Sequence, residues 1–318
     1  MLMSPNDRLP STPARHFLRS FLALAALSGF AYGCDVGGSS EDGIDTPATG
    51  GSPTTGAGGS GSGGGTSVDG SGGSAGPSLF GTPAQAGSGS TSDRWAKAAV
   101  TRDGMNYFFM ANGWGPGFQA QSVAYNGTSF TVTNMLGMQG AKYEPASYPT
   151  VFCGVYSDSM SGPCGLPKAT TELTSLRTGW RWQPNGSGGQ YNAAYDIWLS
   201  TSNAISGHSS FLMVWLHDPV GQQPAGSLKE SNIMVPGVPG TWNLWAGNVS
   251  GKPCISYARP EGKDSLELEF DVLDFVRDVP TRSLSLPGTQ VLSVAVGFEI
   301  WNGPITNLES RDFYVEVN

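Results

Sequence analysis

The run VLSVAVGFEIWNG, Val291–Gly303, reads as one β-strand with two unlike faces. Under the two-residue repeat of a strand, Leu292, Val294, Val296, Phe298 and Ile300 fall on one side. Ser293, Ala295, Gly297, Glu299 and Trp301 fall on the other. An unbroken apolar row packs into a core. Small residues that end in a carboxylate and an indole describe a floor with room above it. Taken alone, this strand is equally well described as a solvated face with one stray acid.

Two more runs repeat the layout. In Ala193–Leu199, Tyr195, Ile197 and Leu199 form an apolar face, opposite Ala194, Asp196 and Trp198. In Ser210–Leu216, Leu212, Val214 and Leu216 oppose Phe211, Met213 and Trp215. Three strands of this kind predict one sheet of a sandwich whose outer side is a groove. Asp196 and Glu299 each share a face with tryptophan. A carboxylate beside an indole is the pairing that sugar chemistry uses: the ring stacks on a pyranose and the acid protonates a glycosidic oxygen. Short β-rich runs surround them, among them Asn106–Ala111, Ser129–Thr133, Thr241–Gly247, Cys254–Ala258 and Leu266–Phe270. Gly, Pro, Asn and Ser split these runs, which predicts an all-β sandwich or jelly roll. Only Asp271–Asp278 reads as helical, with Asp271 as its cap.

The first ninety or so of the 318 residues do not read as globular. Arg8, Arg15 and Arg19 precede the apolar stretch Phe21–Leu27, too short for a stable membrane span, and small residues lead to Ala31-Tyr32-Gly33-Cys34. Residues 1–33 are therefore expected to be a secretory signal. The Gly33-Cys34 junction is similar to a bacterial lipoprotein box, with Cys34 bearing the lipid, and plain secretion is the alternative. The expected location is outside the cytoplasm, as a cell-envelope or surface lipoprotein or as a secreted protein. Residues 34–92 are rich in Gly, Ser and Thr and predict a flexible linker, with a reach of roughly 35 Å for forty residues. The folded domain is then expected at 93–318.

Acids outnumber bases by 25 to 17, and no basic stripe stands out, so nucleic acid is not an expected partner. Membrane contact is expected only through the N-terminal lipid, and a monomer is the default. Cys153 and Cys164 bracket the loop CGVYSDSMSGPC, where an exported chain favours a disulfide, while Cys254 reads as a buried thiol. His16, His208 and His217 are scattered, so no metal site is expected. No cofactor is expected either. His217 and Asp218 read as a surface loop after the Phe211 strand. The acids between Glu261 and Glu269 read as a solvated edge strand.

Nine segments in order carry a resemblance: YFFMANGWG (Tyr107–Gly115), TSFTVTN (Thr128–Asn134), YPTVFCG (Tyr148–Gly154), GLP (Gly165–Pro167), NAAYDIWLS (Asn192–Ser200), SFLMVWL (Ser210–Leu216), QPAG (Gln223–Gly226), TWNLWAG (Thr241–Gly247) and VGFEIWNG (Val296–Gly303). Together they resemble glycoside hydrolase family 12 over nearly all of Asp93–Asn318. The resemblance implies a two-sheet antiparallel β-jelly roll with an open concave cleft. It also implies endo-acting, retaining β-1,4-glucanase or xyloglucanase chemistry on cellulose, xyloglucan or mixed-linkage glucan. Glu299 matches the acid/base, and Asp196 matches the aspartate that orients the nucleophile. Asn112 and Trp114 match an Asn-x-Trp at the cleft entrance, and Met213 matches a methionine beside the reacting carbon. Trp198, Trp215 and Trp301 are expected to line the sugar path.

The nucleophile position departs from the family. The pattern is Glu-Leu/Ile-Met-Ile-Trp, and Phe211 stands where its glutamate belongs. Retaining hydrolysis needs two carboxyl groups about 5–5.5 Å apart, and phenylalanine forms no glycosyl ester. Two readings follow. One is a glucan-binding module on a hydrolase scaffold. The other is an endoglucanase in which Asp196 directs a water while Glu299 protonates the leaving group, an inverting reaction that needs a gap of roughly 6.5–9.5 Å.

Overall fold

The computed structural model describes Ser78, Phe80–Gly140, Glu144–Ser202 and Gly207–Asn318. The expected signal, Cys34 and most of the expected linker lie outside the described residues. Within them, Gln85–Ala86 and Ser88–Thr91 already pair with strands at 101–102 and 123–126. The ordered chain therefore starts upstream of Asp93. Composition misses this because Ser88–Thr91 contributes backbone hydrogen bonds rather than apolar side chains.

Two sheets face each other. The first runs, in spatial order, through Gln85–Ala86, Lys97–Arg102, Met105–Met110, Thr150–Tyr156, Gln290–Gly297, Ala193–Ser200, Ser210–His217, Lys252–Ala258, Val238–Val249 and Ser227–Val235. The second runs through Glu267–Asp271, Leu176–Gln183, Leu308–Val317, Ser129–Gly137, Phe118–Asn126 and Ser88–Thr91. The architecture is an all-β sandwich, as expected, with one departure from an antiparallel arrangement: Phe211–Trp215 and Cys254–Ala258 pair in parallel. A parallel neighbour requires a long crossover. Here the crossover is the Ser227–Val235/Val238–Val249 hairpin, which takes the chain out to the sheet edge and back.

The core lies between the sheets. Tyr195, Ile197, Leu212, Val214, Val296 and Phe298 meet Trp180, Trp182, Phe270, Phe313 and Val315. Phe298 sits 5.5 Å from Trp180 and Tyr195 sits 5.0 Å from Phe270, ring centre to ring centre. These are ordinary separations for tilted and edge-on aromatic pairs. The helix Val272–Thr281 closes one end, and Phe275 packs on Trp242, Tyr257 and Phe270. Its cap is Asp271, whose carboxylate accepts from the Leu273 amide at 2.9 Å. The Asp103-Gly104 pair takes positive φ at both residues, the requirement of a two-residue hairpin turn.

One ion pair joins the sheets. Arg102 presents two nitrogens to Asp312, at 2.9 and 3.1 Å, and both side chains are buried. Removing one member of such a pair strands a charge. Asp312→Ala is expected to lower the unfolding free energy by about 3 kcal/mol, read from the denaturant midpoint. A change within a few tenths of a kcal/mol would show that the Arg102 charge is satisfied elsewhere.

Candidate active site on the outer face of the first sheet

Strand alternation sorts the central side chains as the sequence predicts. Leu212, Val214 and Leu216 join the inter-sheet core. Phe211, Met213 and Trp215 join a second cluster on the outer face, with Ala194, Cys254, Ala258 and Trp301. The registers align these residues into rows across the sheet. Met213, Asp196, Ala295 and Phe152 form one row, and Phe211, Trp198, Ser293 and Gly154 form the next. A third row, on the other side of Asp196, is Trp215, Ala194, Gly297 and Thr150.

The strand that carries Glu299 is interrupted. Regular pairing stops at Gly297 and resumes at Ile300. Asn192 supplies the missing partners. Its backbone N–H donates to the Glu299 carbonyl at 2.9 Å, and its Oδ1 accepts from the Glu299 N–H at 2.9 Å. Its Nδ2 donates to Glu299 Oε2 at 2.5 Å. Asn192 thus fixes both the backbone and the carboxyl of Glu299. The break also orients the chain, because Phe298 and Ile300 stay in the core.

Glu299 keeps some accessible surface while protein surrounds its carboxyl. Burial raises its pKa to about 8, the Asn192 hydrogen bond opposes this, and the nearby Asp196 charge adds to the rise. At neutral pH the group is mainly protonated, as a general acid must be. Asp196 is 8% exposed, and burial raises it to about 6 against two hydrogen bonds. Both bonds land on Oδ2, from the Tyr156 hydroxyl at 2.8 Å and the Trp198 indole N–H at 2.9 Å. Asp196 Oδ1 is buried and has no hydrogen-bond partner among the described residues. A buried carboxylate oxygen left in this state is costly.

The indoles fall into two groups. Trp215 and Trp301 are each 2% exposed and pack 5.8 Å apart. The Trp198 ring has protein neighbours close by, Tyr156 at 4.3 Å and His208 at 4.0 Å. These three build the wall, and burial leaves Trp215 and Trp301 no open face for a sugar. Trp114 is partly exposed on the loop Asn112–Gly115, which the Arg94 guanidinium holds through the carbonyls of Gly113 and Gly115. Trp95, 56% exposed, lies on the segment paired with this loop. It is a sugar-platform candidate that sequence reading passed over.

Cys153 and Cys164 are joined in a disulfide, and Cys254 is a buried thiol. His217 does not face the groove. A bulge between Ala193 and Ala194 shifts the register, and His217 packs on Tyr191 and Trp182 beside Asp264. Tyr156, Asn192, His208 and Lys252 belong to the site and were not singled out in the sequence. Their partners lie 40, 107, 3 and 44 residues away, at Asp196, Glu299, Phe211 and His208. The long-range contacts come from sheet registry, which spacing along the chain does not display. Among the described residues no group of three or more His, Cys, Asp or Glu is placed to hold a metal ion.

Comparison with known proteins identifies the family. The family model for glycosyl hydrolase family 12 matches residues 106–318. Endoglucanase S of Pectobacterium parmentieri is 26% identical over 211 residues, 62% of this chain and 76% of its own length. Xyloglucan-specific endo-β-1,4-glucanase A of Emericella nidulans is 28% identical over 152 residues, 46% of this chain and 61% of its own length. Among solved structures, endoglucanase cel12A from Rhodothermus marinus is 31% identical with a TM-score of 0.62, covering 72% of this chain and 98% of that one. The chain belongs to glycosyl hydrolase family 12, on an endoglucanase and xyloglucanase scaffold.

The raised pKa of Glu299 has a consequence for stability. The folded protein holds a proton there up to about pH 8, whereas an unfolded glutamate releases it near 4.3, so stability falls as pH rises through that window. Glu299→Gln removes this dependence. The variant is expected to match the wild type near pH 4 and to unfold at higher denaturant concentration at pH 8. Parallel pH profiles for the two proteins would show that Glu299 is ionised at an ordinary pKa.

Proposed function

We propose that this domain binds a β-1,4-linked glucan without carrying out the family's retaining hydrolysis. The observation that carries this reading is Phe211. Its side chain lies on the outer face, one row from Asp196 and Met213, with the His208 ring 4.4 Å away and the Trp198 ring 5.9 Å away. Attack on an anomeric carbon from that position needs a carboxylate, and a phenyl ring offers no electron pair for it. The carboxylate that acts on Glu299 through space is Asp196. The unpartnered Asp196 Oδ1 fits the loss of a neighbouring carboxyl that once shared a proton with it. Trp114 remains to hold a polymer, whereas Ser293 and Ala295, expected as an open floor, are fully buried; the leader and linker expected from the sequence support an exported, tethered domain.

A second reading has its own support. Asp196, raised to about 6, is a base near neutrality, and Glu299 is an acid. An inverting reaction with Asp196 directing water would use both. Its obstacle is cover, because Asp196 lies under Tyr156 and Trp198.

The test compares the full chain and three variants on xyloglucan, mixed-linkage glucan and their oligosaccharides. Wild type is expected to bind and to release no reducing ends. Trp114→Ala should weaken binding by roughly 1 kcal/mol, and Phe211→Glu should gain turnover. Hydrolysis by the wild type that vanishes in Glu299→Gln overturns the binding reading and supports the second. Failure to bind any of these glucans overturns both.

A further inference from the structure

One row beyond Phe211 on the outer face stands a cation, Lys252. The His208 ring packs against Trp198 at 4.0 Å and Phe211 at 4.4 Å, and is 8% exposed. His208 Nε2 lies 3.2 Å from Lys252 Nζ. An ammonium only donates, so Nε2 accepts and the ring is neutral, with its proton on Nδ1. Burial and the Lys252 charge hold His208 near pKa 4, which keeps this arrangement across neutral pH. Lys252 is half-buried, and the ion pairs of the described residues do not include it. It lies two residues before Cys254, the parallel-strand neighbour of Phe211 in the outer cluster. A partly desolvated ammonium, aimed by a neutral imidazole and lacking a carboxylate partner, is suited to receive one from a ligand.

We propose that Lys252, positioned by His208, forms a subsite for a carboxylate-bearing sugar, so that the bound β-glycan carries uronic acid residues. This inference rests on the glycan-binding reading and narrows its substrate class. Non-specific attraction does not account for it, because the chain's net charge is −8 and repels polyanions in general. The position of the charge supplies the selectivity: a uronate in the groove beside Phe211 meets the ammonium, and one displaced along the chain does not.

The experiment is calorimetric titration of the full chain with a cello-oligosaccharide and with the same oligosaccharide oxidised to carboxylate at C6. Wild type and Lys252→Gln are compared at low and high salt. The acidic ligand is expected to bind wild type roughly threefold to fivefold more tightly than the neutral one, the range of a partly exposed ion pair. High salt should erase the preference. Lys252→Gln should erase it too, and an unfolding midpoint equal to that of wild type shows that the variant is folded. Equal affinities in wild type, or a preference that survives Lys252→Gln, overturn the uronate subsite and leave glucan binding standing. Binding of neither ligand overturns both.

Discussion

The two-residue period of the central strands is the constraint on which the rest of this molecule depends. One face of Ala193–Ser200, Ser210–His217 and Gln290–Gly297 seals the core, and the other carries Asp196, Trp198, Phe211 and Met213. A one-residue slip would send Asp196 into the space between the sheets and Tyr195 out to water. Register is therefore fixed by the apolar row, and the outer row is free to change chemically while the fold stays intact. Phe211 belongs to that outer row. It lies between Trp198 and Cys254 in an apolar cluster, where an ionised carboxyl would bear a desolvation cost.

Glu299 and Asp196 show how the same sheet sets two acidities. Both are raised, and in both the first cause is burial rather than a neighbouring charge. They differ in their hydrogen bonds. Asp196 has two donors on one oxygen, and Glu299 has one from Asn192. More donors favour the charged form, so Asp196 ionises first and its charge then helps keep Glu299 protonated. The acid is thus maintained without a second glutamate. A protonated Glu299 accordingly says little about whether a nucleophile accompanies it.

Much of the fold could be read from alternation alone. The facing of Phe211, Met213 and Trp215, the single helix and its Asp271 cap all follow from local pattern. The stretch Glu261–Glu269, read as a solvated edge strand, holds in part: Glu267–Glu269 lie in a strand at the sheet edge, and 261–266 form a turn and loop before it. What escaped the sequence depends on registry and depth. Val291–Gly303 reads as unbroken, but the carboxyl-bearing turn leaves the ladder at Phe298–Glu299 and Asn192 replaces the lost bonds. Periodicity assigned Trp215 and Trp301 to the correct face and could not say that they cover each other there. Thr150–Tyr156 is buried along its whole length, so it lacks the alternation that marks a half-buried strand. Tyr156 was invisible for that reason.

Phe211 and Lys252 make sense as a pair. A glutamate at position 211 would have its carboxyl against the His208 ring and close to the Lys252 ammonium that this ring contacts. The cation would lower that carboxyl's pKa and pair with it. With a phenyl ring in place, the ammonium has no carboxylate partner among the described residues, and the ring offers apolar surface for the face of a sugar. The two residues lie on strands far apart in the chain and meet only through the parallel pairing of Phe211 with Cys254. Their chemistry agrees in direction: the negative charge that retaining hydrolysis requires is absent from the Phe211 row, and a positive charge stands one row beyond it.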